Sequence, residues 1–192
     1  MTEVAEKLYV PYAEYALREA KSDTKHEWLR GGVFAMAGGS LEHARLSLAI
    51  GAELRNALRD RPCSVFSSDL KIRILATDLA TYPDSVVVCG KPEVDPEDPH
   101  ALLNPTLLVE VLSDSTEAYD RGEKFAHYRH IPSLREYVLV SQHKPRIEVH
   151  RLNSSGRWEL YEAIAGEQIE LASIGCTLNV DDVYRDPLIP RS

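Results

Sequence analysis

The chain has no apolar run approaching the roughly 20 residues that a membrane-spanning helix needs. Its opening Met-Thr-Glu-Val-Ala-Glu lacks the basic flank and apolar segment of a signal peptide, so a cytoplasmic protein is expected. Cysteine is scarce. Cys63, Cys89 and Cys176 are odd in number, widely spaced and set in mostly apolar stretches, which speaks against a disulfide framework or a zinc site and leaves three reduced packing residues. Positive charge is short as well: 22 Lys and Arg against 30 Asp and Glu give a formal net charge of −8, which argues against a large basic surface for nucleic acid. A local basic groove or a bound metal remains compatible with that balance. There is no internal repeat and no low-complexity segment. What is present, 192 residues of which 44% are hydrophobic and 27% charged, is the composition of one globular domain able to bury a real core, with residues 188–192 as a short tail.

The most informative stretch is Leu-Leu-Val-Glu-Val-Leu at 107–112, a run of strand length with one acid, Glu110, at its centre. An ionised carboxylate in an apolar interior costs several kcal/mol or more unless donors, a cation or a metal satisfy it. Period-two geometry puts Thr106, Leu108, Glu110 and Leu112 on one side and Leu107, Val109 and Val111 on the other.

Around it the pattern predicts a short amphipathic helix over 11–21, then a hairpin whose strands, His26 to Arg30 and Val33 to Met36, flank a Gly31-Gly32 turn. A long helix runs from about Leu41 to Arg59, with Ser40 as N-cap and His43 in its first turn, early enough to face a cleft. Strands follow at 64–66 and 70–75, the second half-buried by its alternation of Leu70, Ile72 and Ile74 with Lys71 and Arg73. Residues 76–81 turn the chain into Tyr82-Pro83-Asp84 and a valine run buried on both faces, with Asp84 at its entrance. The proline-rich acidic stretch 90–105 reads as a surface loop. After the central strand a helix is expected from Glu117 to His130, carrying Lys124 and Tyr128 on one face, then a strand at 136–140, a hairpin at 146–163 and strand material near 168–171.

An acid entering one strand, an acid within a later one and a lysine close behind are the parts of a magnesium-dependent phosphodiester hydrolysis site. Mg²⁺ takes oxygen ligands, one or two protein carboxylates and substrate phosphate. A cation between two carboxylates about 4 Å apart would turn a repulsion of about 4 kcal/mol at an effective dielectric near 20 into attraction.

The segments Tyr-Pro-Asp-Ser-Val-Val-Val (82–88), Glu-Val-Leu-Ser-Asp-Ser-Thr (110–116), Tyr-Asp-Arg-Gly-Glu-Lys (119–124) and Leu-Arg-Glu-Tyr-Val-Leu-Val (134–140) together resemble the Uma-two family of restriction-endonuclease relatives, within the PD-(D/E)xK nuclease superfamily. Lys25-His26-Glu27-Trp28-Leu29, Met36-Ala37 and Leu41-Glu42-His43 add to the likeness, which spans roughly residues 8–187. The resemblance implies an α/β (α+β) restriction-endonuclease-like fold, a mixed central sheet flanked by helices. It implies Asp84 and Glu110 as ligands of Mg²⁺ or Mn²⁺, Lys124 as the catalytic lysine in place of Leu112, where the superfamily pattern has it, and Glu27 and His43 as further catalytic candidates. The activity implied is DNA endonuclease, with DNA as substrate, and a homodimer is expected because it lets two sites address two strands.

Each residue also has a plainer reading. For Glu110 it is a buried salt bridge to Lys124, for Asp84 a turn aspartate at a strand entrance, and for Lys124 a helical ion pair with Asp120. For Glu27 it is a solvated hairpin face and for His43 a surface or hydrogen-bonded histidine. Asp69 and Glu136 read as exposed strand-end acids. The corresponding alternative function is a non-catalytic member of the fold that binds a partner.

Overall fold

The structure, a computed structural model, describes residues 9–186 and Leu188. The expected tail at 188–192 thus lies almost wholly outside the described residues. Helix α1 (Tyr12–Glu19) buries Tyr12, Tyr15 and Ala16, the face its spacing predicts. The hairpin β1 (His26–Leu29) and β2 (Gly32–Ala35) follows, with Leu29 opposite Gly32. Its turn is therefore Arg30-Gly31, both at positive φ, one residue earlier than the glycine pair suggested. Helix α2 (Leu41–Ala57) starts at Ser40, whose side chain accepts from the His43 amide at 3.0 Å, and buries Leu46, Ile50 and Leu54. Each of those side chains contributes roughly 1.5–3 kcal/mol by leaving water.

Then come β3 (Cys63–Ser67), β4 (Lys71–Ile74), β5 (Leu79–Thr81), β6 (Ser85–Cys89), β7 (Val94–Asp95), β8 (Asp98–Leu102) and β9 (Leu107–Leu112). After a helical segment, residues 117–128, lie β10 (Glu136–Ser141), β11 (Arg146–Leu152), β12 (Trp158–Ile164), β13 (Gln168–Leu171) and β14 (Cys176–Asn179), and a last helical turn, Val180–Val183. The central sheet has the order β12-β11-β10-β9-β6-β3. It is mixed: β9 and β10 run parallel, and the other neighbours are antiparallel.

One face of this sheet, with Leu107, Val109 and Val111 of β9, packs under α2. The other face, with Leu108 and Leu112, packs against the helix that follows β9 and against Ile72, Ile74 and Leu79 of a second sheet, β2-β1-β5-β4-β8-β7. The alternation read from the sequence at 106–112 is the one observed. Among the described residues no helix is long and apolar enough to cross a membrane.

The second sheet accounts for most of what the sequence misplaced. Residues 76–81 contain β5, not only a turn, and the supposed loop 90–105 contains β7 and β8, with Asp95, Asp98, Ala101 and Leu102 buried. Nor is β4 half-buried: all four of its residues are buried. Lys71 meets Asp98 at 2.6 Å, and the Arg73 guanidinium lies 4.1 Å from the Tyr12 ring centroid and 4.7 Å from that of Trp28. Partners in distant segments make these charges buriable, and no local pattern announces them. The cysteines also differ from expectation. β3 and β6 pair with Cys63 directly opposite Cys89, and the two form a disulfide; Cys176 is free.

Candidate active site

The antiparallel register of β6 and β9 pairs Ser85 with Val109 and Val86 with Leu108. One step further along that register puts Asp84 opposite Glu110, where side chains of an antiparallel pair share a face. A hydrogen bond fixes the position: the Val111 amide donates to Asp84 Oδ2 at 2.7 Å. The other oxygen, Oδ1, lies 2.9 Å from His43 Nε2 at the start of α2. Two acids far apart in sequence thus face one cleft from adjoining strands, the arrangement that is least comfortable without a cation.

That cation is supplied in part by the helix after β9. Its ends, Glu117–Tyr119 and Phe125–Tyr128, are α-helical, and between them Asp120–Lys124 forms a wider π-helical turn. Such turns are uncommon and concentrate at functional sites. From this helix Lys124 Nζ reaches Glu110 Oε1 at 2.8 Å, with Glu27 Oε1 and Asp120 Oδ1 each at 3.5 Å. Tyr128 donates its hydroxyl to Glu110 Oε1 at 2.7 Å. Glu27, on β1, also accepts a hydrogen bond from Thr81 on β5. The second sheet therefore has a purpose at the site: it carries Glu27 to the same lysine.

Acids outnumber bases in this cluster, and the proton affinities follow. Burial, together with the Asp84 and Asp120 carboxylates and against the pull of Lys124, pushes Glu110 up to about 8. Burial likewise raises Asp120. For Lys124 burial acts to lower the pKa, but Glu110, Glu27 and Asp120 together outweigh it and hold the ammonium protonated. The hydrogen bond to Asp84 raises His43 above the usual histidine range.

All five candidates, Asp84, Glu110, Lys124, Glu27 and His43, line a cleft of about 680 Å³, whose rim includes Ser113, Asp114, Gln142 and His143. Two site residues carried no strong sequence signal. Asp120 reads in the sequence only as a helical ion-pair partner of Lys124, and Tyr128 only as an inward-packing ring on the same helix face as Lys124. Asp69 and Glu136, which the sequence reads as exposed strand-end acids, lie outside the cleft. Asp69 is exposed and paired with Lys25 at 2.6 Å. Glu136 is not an exposed strand-end acid: it is fully buried, tied to Arg151 Nε at 2.6 Å and to the amides of Ala172 and Ser173 at 3.1 and 3.0 Å, where it anchors the loop between β13 and β14 to the sheet.

Among the described residues no group of three or more His, Cys, Asp or Glu side chains is arranged to hold a metal by itself. Mg²⁺ asks for less, since one or two carboxylates suffice when water and phosphate complete the shell. Asp84 and Glu110, oxygen donors at opposed strand positions within an acid-rich cleft, fit that requirement.

The mixed sheet with helices on its faces, and a cleft at the β6–β9 junction, define a restriction-endonuclease-like fold. The crystal structure of a protein described as a putative nuclease belonging to DUF820, from Anabaena variabilis, superposes with a TM-score of 0.72 over 91% of this chain and 97% of that one, at 14% identity. Residues 12–181 match the Uma2 model, described as "Putative restriction endonuclease", and the chain belongs to that family. Two Synechocystis proteins, both uncharacterised, are its relatives. The protein slr1290 is 41% identical over 175 residues (90% of either chain), and sll1609 is 35% identical over 159 residues, 83% of this chain and 89% of that one.

Proposed function

We propose that the protein is a metal-dependent DNA endonuclease, acting as one domain in the cytoplasm and as a homodimer, so that two sites can address two strands. The observation that carries this reading is the convergence of Asp84, Glu110 and Lys124 on one cleft from three separate elements. Asp84 and Glu110 would hold Mg²⁺ or Mn²⁺, which when bound supplies positive charge at the phosphate and lowers the pKa of water. Lys124, kept cationic by its acidic neighbours, orients the attacking water or neutralises charge on the phosphate. Glu27 and Asp120 fix the direction of the ammonium. His43 and the Val111 amide fix the rotamer of Asp84, and Tyr128 fixes Glu110. The packing of both sheets onto one apolar cluster supports treating the chain as a single domain.

The test is incubation of purified protein with Mg²⁺ or Mn²⁺ and supercoiled, linear or single-stranded DNA. Cleavage abolished in Glu110→Ala is expected, and cleavage undiminished in that variant removes the site assignment.

One observation favours a second reading, a non-catalytic member of the fold that binds a partner. Glu110 Oε1 is already engaged by both Lys124 and Tyr128, a pairing that a purely structural core would also use. Calorimetric titration with Mn²⁺ decides between them: binding that depends on Asp84 and Glu110 supports the nuclease, and no such binding leaves the partner-binding reading ahead.

A further inference from the structure

Helix α2 turns one face to the core through Leu46, Ile50 and Leu54, and its opposite face to solvent. That outer face is not polar. It carries Leu41 and Leu48, 94% and 75% exposed and two helical turns apart, with Ala44 and Ala52 exposed beside them. Leucines repeated at this interval have the spacing with which one helix packs on another. Beside the stripe runs a groove of about 910 Å³, with Ala44, Leu48, Gly51, Ala52 and Arg55 on one wall and residues 65–68, from β3 and the turn after it, on the other. Gly51 deepens it, since a Cβ there would stand 3.4 Å from Ser85 Oγ. A projecting leucine and a recess of small residues thus lie side by side on one helix. A two-fold contact requires both on the same surface, because each copy supplies knob and hole.

The charges set the direction. Near the C-terminal end of α2, Arg55 is exposed and pairs with no acid among the described residues. At the N-terminal end Glu42 holds Arg45 at 2.5 Å, and Asp186 lies close enough to act on the charges of both. An antiparallel pair of α2 helices brings the free arginine of each copy to the acid-bearing end of the other, and it sets the two helix dipoles in opposition. A parallel pair would place Arg55 against Arg55.

Resting on the homodimer of the proposed function, we infer that α2 is its interface: a second copy of this chain packs its own α2 antiparallel on this one, with Leu48 at the two-fold axis. In that register Leu48 meets its copy, Ala44 faces Ala52 of the second copy, and Leu41 lies along the aliphatic stem of the second copy's Arg55. The guanidinium at the end of that stem then reaches Glu42 and Ser40, at the mouth of the cleft. There the chain's own cations are committed, Lys124 to Glu110 and His143 to Asp114. Each cleft begins at His43, about 7.5 Å along the helix from Leu48 at about 1.5 Å per residue, so the two clefts flank one axis and each takes a cation from the other copy.

The experiment is sedimentation velocity at about 50 μM chain, a concentration that populates a dimer of micromolar affinity, without DNA or metal, on the wild type, Leu48→Glu and Arg55→Glu. Both positions are exposed, and a thermal melt checks that each variant is folded. The wild type is expected to sediment as a dimer and Leu48→Glu as a monomer, with Arg55→Glu weakening association about threefold to tenfold. In a Cys176→Ser background, Leu48→Cys should cross-link to a dimer on mild oxidation, because residues facing each other on a two-fold axis come within the roughly 4.4–6.8 Å between Cα atoms that a disulfide spans. Leu17→Cys, exposed on α1, should not. A monomeric wild type overturns both the interface and the homodimer. A wild-type dimer that persists in folded Leu48→Glu, or that Leu48→Cys fails to cross-link, overturns the interface and leaves the homodimer. Cleavage with Mn²⁺ is read separately: the expected dimer with no cleavage of any DNA upholds the interface and removes the nuclease.

Discussion

Lys124 Nζ sits 2.8 Å from Glu110 Oε1, and both side chains are almost wholly buried. Leu112, two residues beyond Glu110 on the same face of β9, lies in the apolar cluster with Tyr128, Tyr137 and Leu139. A charge at 112 would be stranded there. The helix that follows β9 solves the placement by bringing the ammonium back over the strand from outside.

This arrangement predicts strong coupling. Lys124→Met leaves Glu110 buried opposite Asp84 without its cation, and should destabilise the protein by about 3–5 kcal/mol in urea unfolding, besides abolishing cleavage. The double variant with Glu110→Gln should recover part of that loss, with an interaction energy of roughly 0.5–3 kcal/mol. Additive losses in the cycle would show that the pair does not act as a unit.

Tyr128→Phe tests the other bond to Glu110. The change removes a single hydroxyl from a fully buried ring and leaves its packing on Tyr137 intact. A hydrogen bond is worth roughly 0.5–1.5 kcal/mol to a neutral carboxyl and roughly 1.5–3 kcal/mol to a carboxylate, and with Glu110 pushed up to about 8 a loss in the lower range is expected by urea unfolding at pH 7, with Mn²⁺ binding retained. A loss of binding as complete as in Glu110→Ala would mean that the hydroxyl does more than hold the carboxylate.

Away from the cleft, the buried pair Lys71–Asp98 should shape acid stability. For Asp98 burial acts to raise the pKa, but Lys71, the Tyr12 hydroxyl and the His100 amide outweigh it and hold the carboxyl below its ordinary value. A carboxyl whose folded pKa is depressed stabilises the fold above the unfolded value of about 3.9, and this is lost as pH falls through the folded value. Asp98→Asn should therefore cost about 3–5 kcal/mol at pH 7, where Lys71 is left unpaired, with the deficit against wild type narrowing below pH 3.9. Urea midpoints from pH 7 down to pH 2 measure it, and a deficit independent of pH would contradict the ionic account.

How much of this was legible in the residues follows from how local each signal is. The two faces of β9, the cap at Ser40 and the buried face of α1 are set by spacing within a few residues, and each was readable. Asp84, Glu110 and Lys124 were readable as a constellation because each sits in a short segment of distinctive order. The second sheet was not. Its strands β5, β7 and β8 are short, and what buries their charges lies far along the chain: Asp98 meets Tyr12 and Lys71, and Arg73 stacks on Tyr12 and Trp28. Glu136 was missed for the same reason, since its partners belong to the distant turn at 172–173. The widened turn at Asp120–Lys124 has no local sequence cue beyond Gly122, and it was read as ordinary helix.

The disulfide gives the last prediction. Cys63 and Cys89 were expected to stay reduced, because spacing along a chain says nothing about which residues face each other across a sheet. Their pairing on β3 and β6 closes a loop with a sequence separation of 26. In the chain-entropy account a loop of that size restricts the unfolded state enough to stabilise the fold by about 3–4 kcal/mol. Oxidised protein should therefore unfold at higher urea than protein kept in reductant. The variant carrying both Cys63→Ser and Cys89→Ser should behave as the reduced form does in either condition. The bond lies toward the far end of β6 from Asp84, with the strand's own register holding Ser85 against Val109, so Mn²⁺ affinity should be the same in oxidised and reduced protein. Identical urea midpoints with and without reductant would mean that the two thiols do not pair in solution. A fall in Mn²⁺ affinity on reduction would mean that the bond helps to hold Asp84 opposite Glu110.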